Sequence, residues 1–140
     1  MRFAPGISVL VAAIATGCGG SSHGGEQQPA ETSTTGALTV DWTVKGAADP
    51  NACTSVAASA IEITVVSGAN QPIGTFQQSC SAFSTSITLA AGNYAATARL
   101  LDAAGTAVTR VHPIDVFTMH VKSQLTVPID FAEDAFVVRR

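Results

Sequence analysis

Five stretches of this chain repeat their hydrophobicity every second residue, and that constrains the fold more than any other feature. In the first, Leu38, Val40, Trp42 and Val44 alternate with Thr39, Asp41, Thr43 and Lys45. A period of two places all the apolar side chains on one face of an extended strand, whereas a helix with 3.6 residues per turn would scatter them. The same spacing recurs in Ile61, Ile63 and Val65, in Phe83, Thr85, Ile87 and Leu89, in Tyr94, Ala96, Ala98 and Leu100, and in Leu125, Val127, Ile129 and Phe131. Between these runs, Ile73 to Gln78 leads towards Cys80, Thr106 to His112 follows a loop, and a less regular apolar stretch spans Ile114 to Val121. Only 12% of residues are charged, about half the usual fraction. An abundance of Thr, Ser, Val and Ala fits strands better than a helical bundle. Pro128 lacks a ladder donor, which places the last strand at an edge or turns that position outward.

The turns have their own chemistry. Asp49-Pro50 reads as a helix N-cap followed by proline at the first helical position, so one short helical turn carrying Cys53 is expected. Residues Ile61 to Asn70 and Ala96 to Gly105 echo one another at an offset of 35, with Ile73 matching Val108. Each strand enters a four-residue turn that ends in Asn70 or Gly105, the two residue types that best tolerate a left-handed backbone. The echo predicts two hairpins of one type and not a repeat protein.

About seven short strands in residues 37–133 predict an all-β, two-sheet sandwich. Leu89-Ala90-Ala91-Gly92-Asn93-Tyr94, a Gly-x-Tyr entry to a strand, and Leu100-Leu101-Asp102-Ala103-Ala104-Gly105 make this region resemble the immunoglobulin-like and prealbumin-like sandwich domains of secreted bacterial proteins. The resemblance implies that the Tyr94 hydroxyl ties down its corner. Residues 134–140 read as a C-terminal tail, either frayed or forming a short extra strand.

At the other end, Arg2 precedes an almost wholly apolar stretch from Phe3 to Ala15, too short to span a bilayer of ~30 Å. It has the length of a secretory h-region. Ala15-Thr16-Gly17-Cys18 follows and resembles the lipobox of bacterial lipoproteins, with Ala15 where that family prefers Leu. The resemblance implies a signal peptide over residues 1–17, removal before Cys18, and acylation of Cys18 as the bilayer anchor. The alternative is cleavage after Ala13-Ile14-Ala15, leaving a free thiol. Gly19 in place of Asp after the cysteine implies the outer membrane within that family. Two or more acyl chains hold a protein stably where one does not.

With Cys18 assigned to lipid, the remaining pair, Cys53 and Cys80, is expected to form a disulfide in an oxidising compartment. Two buried free thiols are the competing arrangement. Residues 18–36 form the lipidated cysteine and a tether, GGSSHGGEQQPAETSTTG after Cys18, with no large apolar residue to repay ordering. A flexible linker of this length has an end-to-end distance of roughly 23 Å. The chain as a whole resembles small myxobacterial-type lipoproteins that pair a lipobox with a disulfide-bearing β domain.

Catalytic patterns are sparse. His112 and Asp115, with His120 nearby, offer metal-ligating groups without a metal spacing such as HExxH. Ser79, Ser81, Ser84 and Ser86 lie outside any GxSxG. Lys45, Glu62 and Asp130 sit on strands where some surface sandwiches form Lys–Asp isopeptides, but Lys45 and Glu62 have wet parity, and that chemistry needs a buried cluster. His23 in the tether reads as solvated. No cofactor and no enzymatic activity are expected. A net charge of −3 with no basic run beyond Arg139-Arg140 argues against nucleic acid. The Thr/Ser/Gln-rich stretches Gly74 to Ser79 and Ser84 to Thr88 are expected to form one uncharged polar sheet face. The expected role is a structural or protein-interaction module at the cell envelope, with an envelope protein as partner. The rival is a small-ligand or glycan-binding accessory domain, which would show a concave patch with aromatic side chains.

Overall fold

Ten residues, Thr35–Val44, form β1, and every second one is buried. The chain then makes α1 (Pro50–Ser55), β2 (Ala60–Ser67), β3 (Pro72–Ser79), a 3-10 turn at Cys80–Ala82, β4 (Ser84–Ala90), β5 (Gly92–Leu101), β6 (His112–Met119), β7 (Gln124–Phe131) and a last 3-10 turn at Glu133–Ala135. The structure, a computed structural model, describes residues 34–138. The signal segment, Cys18 and His23 lie outside the described residues. β1 begins two residues inside the stretch read as tether. Gly36 belongs to the strand because the neighbouring backbone crowds it. A Cβ there would stand 2.6 Å from the His120 carbonyl oxygen, a close approach that only glycine permits.

The seven strands form two sheets, β4-β1-β7 and β3-β2-β5-β6, as the alternation requires. The first sheet is mixed: β1 runs antiparallel to β4 and parallel to β7. This order separates β1 from β2, whereas immunoglobulin constant domains keep their first two strands in one sheet. β7 is an edge strand, so Pro128 costs the ladder nothing. Between the sheets lie Leu38, Val40, Trp42, Val44, Ile87, Leu89, Ile129 and Phe131 from one side. Ile61, Ile63, Val65, Ala96, Ala98, Leu100, Ile114 and Met119 face them from the other. Fully burying each large aliphatic or aromatic residue contributes about 1.5–3 kcal/mol before the entropy of ordering is subtracted.

The 35-residue echo is a structural symmetry. Asn70 N–H donates to Ser67 O (2.9 Å) and Gly105 N–H to Asp102 O (3.0 Å). Ser67 N–H donates to Gln71 O and Asp102 N–H to Thr106 O, both at 2.8 Å. Asn70 and Gly105 both have positive φ, 59° and 80°, the left-handed residue of a bulged hairpin turn. β2 and β5 lie side by side, and Ile63 pairs with Ala98, its own counterpart in the echo. The two hairpins are therefore related by an approximate two-fold through that pair.

The second return arm departs from the first. Thr109 turns inward, and its hydroxyl oxygen accepts from Leu100 N–H (2.9 Å). Within β6, Asp115 and Val116 together face Ala95, since Tyr94 pairs with Phe117 and Ala96 with Ile114. This bulge switches the buried parity from Ile114 to Phe117 and Met119, so no single period fits the segment. The C-terminal stretch docks beyond Glu133: Arg110 N–H donates to Ala135 O, Val137 N–H donates to Val108 O, and Phe136 packs against the core.

One end of the sandwich is stapled. Asp49 accepts from Asn51 N–H (2.8 Å) and Pro50 opens α1. Cys53 on α1 is disulfide-bonded to Cys80, with Cα atoms 6.1 Å apart and a sequence separation of 27. Trp42 Nε1–H donates to Cys80 O (2.8 Å), and its ring lies 6.4 Å from that of Phe83.

Candidate functional site

Between Glu62 and Arg99, residues 63–98 contain no Asp, Glu, Lys, Arg or His. At 12% charged residues a stretch of that length would hold about four. Burial explains part of the run, because Ile63, Val65, Ile87, Leu89 and Tyr94 face the core. It does not explain the solvent-facing positions. Thr75, Gln77, Gln78, Ser79, Ser81, Ser84, Ser86 and Thr88 are exposed, with no charge among them. Charge is missing where it would cost nothing to carry.

The expected single polar face does not form. β3 belongs to the four-stranded sheet and β4 to the three-stranded one. The chain changes sheet at the 3-10 turn, where Phe83 takes a left-handed conformation (φ 57°). The uncharged strands are instead the edges of different sheets. Free edges expose unpaired backbone groups and are ordinarily guarded by charge, proline or bulges. β6 carries Pro113, Asp115 and its bulge, and β7 carries Pro128 and Asp130. On β4, the Ala90 carbonyl is occupied by the Tyr94 hydroxyl (2.7 Å), and Ser84 Oγ donates to Asp41. β3 carries Pro72 at its first residue and a bulge at Ile73, where its register with β2 shifts, and from Gly74 to Ser79 it has neither.

The phase of β3 follows from one bond. Cys80 N–H donates to Ser59 O (3.0 Å), so by alternation Gln78, Phe76 and Gly74 also point their backbone groups at β2. Ile73 is the extra residue of the bulge. Thr75, Gln77 and Ser79 point theirs away, and among the described residues nothing pairs with them. Their side chains lie on the outer face, where Gln77 donates to Glu62 (3.1 Å) and Thr75 meets Thr64 (3.5 Å). Phe76 turns inward and is half-buried against the core. From Gly74 to Ser79 the edge is regular, uncharged and amphipathic.

Other candidates are dispersed. His112 and His120 sit at opposite ends of β6, about 25 Å apart for an extended strand, and His112 stacks edge-on to Phe131 at 6.1 Å. The His112, Asp115 and His120 grouping is thus not brought together. Among the described residues no cluster of three metal-ligating side chains occurs. Lys45 pairs with Glu133 (2.9 Å) and lies over the Phe136 ring. Glu62 pairs with Arg99 (2.7 Å), and Asp130 accepts from Thr43 Oγ1 and Gly46 N–H. The isopeptide trio is accordingly dispersed too. Ser79 and Ser81 bond to one another, and neither they nor Ser84 bonds a histidine among the described residues.

Trp42 and Tyr94, the chain's one Trp and one Tyr, are both buried, so neither forms an aromatic binding platform. An open cavity of about 280 Å³ is lined by Lys45, Val56, Val108 and Phe136, and no cluster of polar groups converges on it. Among the described residues no helix is long and apolar enough to cross a membrane.

No family model matches the chain, and no curated protein matches it. Solved structures of similar backbone include a leucine-rich repeat protein from Bacteroides thetaiotaomicron, at 12% identity and TM-score 0.48, covering 70% of this chain and 12% of that one. The Bacillus anthracis TIE protein is 13% identical with TM-score 0.44, covering 69% and 17%. A candidate polysaccharide-binding protein from Bacteroides thetaiotaomicron is 11% identical with TM-score 0.42, covering 67% and 46%. The chain spans less than half the length of each, and at these values none bears on its chemistry.

Proposed function

We propose that this protein is a lipid-anchored lipoprotein of the cell envelope whose disulfide-stapled sandwich serves as a structural or protein-interaction module and performs no catalysis. The observation that carries the interaction reading is the uncharged edge of β3 from Gly74 to Ser79, clear of the proline and bulge that precede it. The sequence Ala15-Thr16-Gly17-Cys18 after an apolar segment supports the anchor, and the Cys53–Cys80 disulfide supports an oxidising compartment, where such bonds persist. Gly19 supports the outer membrane as the destination. Its partners on this reading are the bilayer, through acylated Cys18, and a protein that adds a strand to the sheet.

The anchor is tested by fractionation. Cys18→Ser is expected to move the protein from the membrane fraction to the soluble exported fraction without altering its disulfide. Persistence of the variant in the membrane fraction would contradict the lipid anchor.

A further inference from the structure

We propose that the strand added to β3 is β3 of a second copy of this chain, giving a continuous eight-stranded antiparallel sheet across the pair. The inference deepens the interaction-module reading and rests on it. Centring a two-fold on Phe76 sets Thr75 opposite the second copy's Gln77, and Gln77 opposite the second copy's Thr75. These two residues, whose backbone groups are free, then face one another in hydrogen-bonded positions, making up to about four bonds across the pair. Phe76 falls in the non-bonded position, where side chains come closest. It meets its own copy and covers the part of the ring that one sheet alone leaves exposed.

The pairing stops short of the bulge: Ser67 N–H donates to Gln71 O, which turns Pro72 away from β2, so the second copy's strand does not extend past Ile73. No charge lies on β3, so the two-fold brings no like charges together. Pairing β6 or β7 with itself would juxtapose Asp115 or Asp130 with its own copy in a strand already interrupted by proline, and like charges across a ladder destabilise it. β4 offers fewer free groups, since Ala90 O is taken. One strand edge makes a small interface, so the pairing is reversible in solution and is favoured when copies are concentrated on one surface.

The test uses the full chain with Cys18→Ser, so that neither lipid nor a thiol joins two copies. Sedimentation across a dilution series is expected to show a reversible monomer–dimer equilibrium. In the dimer, the amides of Thr75 and Gln77 are expected to exchange with deuterium at least ~tenfold more slowly than in the monomer. Thr75→Pro removes an outward donor while sparing the β2 ladder, and Thr75→Lys sets two cations across the two-fold. Each is expected to weaken dimerisation ~tenfold or more, whereas Ser86→Lys on β4 leaves it unchanged. A chain that stays monomeric at every concentration overturns the proposal, as does a dimer that both Thr75 variants leave intact. Because Cys18 is absent, either result leaves the fractionation test of the anchor untouched.

Discussion

Two glycines separate space from conformation. Gly36 is confined by the His120 carbonyl, whereas Gly46 has positive φ (76°) and nothing within 4 Å of an added Cβ. Gly36→Ala is expected to cost about 1–3 kcal/mol by overpacking against backbone. Gly46→Ala is expected to cost about 1 kcal/mol, from the left-handed conformation alone. Urea titrations of the two variants check the ranking, which a larger loss at Gly46 would reverse. Tyr94→Phe removes the donor to Ala90 O and is expected to lower stability by about 1 kcal/mol. Tyr94 was legible in sequence through its Gly-x-Tyr setting. The importance of Gly36 was not, because the oxygen that confines it belongs to His120, far along the chain.

At the scale of elements, sequence chemistry is informative wherever local rules decide. Asp49-Pro50 announced α1, the echo announced both hairpin turns, and Pro128 announced an edge. The signal fails where long-range pairing decides. β6 resisted reading because the Asp115–Val116 bulge breaks its period, and β3 and β4 were joined into one face because nothing local marks a change of sheet. The docking of Phe136 and Val137 depends on β6's lead-in, hence on contacts remote in sequence. The β3 edge had a readable trace, the uncharged run of residues 63–98, which alternation alone does not reveal. The turn pair also gives a test. Gly105→Ala should cost about 1 kcal/mol, while Asn70→Gly should be neutral or stabilising, since both positions hold positive φ. Thermal melts in which both changes destabilise equally would contradict the shared turn geometry.

For the whole molecule, the staple and the free edge address different problems. The disulfide ties α1 to the turn where the chain changes sheet, and in the chain-entropy model a loop of this length contributes roughly 3.5 kcal/mol. Reduction is therefore expected to lower the melting temperature markedly while leaving the far-UV β signature intact below it. An unchanged melting temperature would show that the sandwich does not depend on the bridge. The edge of β3 remains available for association because no charge, proline or bulge interrupts it from Gly74 to Ser79. The central claim, a lipid-anchored and disulfide-stapled module, is tested most directly by the intact mass of the protein from its native membrane, before and after reduction. The account predicts a chain beginning at Cys18, heavier by its acyl groups, that gains two hydrogens on reduction. A lipid-free chain beginning at Thr16 would contradict it, and would make the protein a secreted domain with a free thiol.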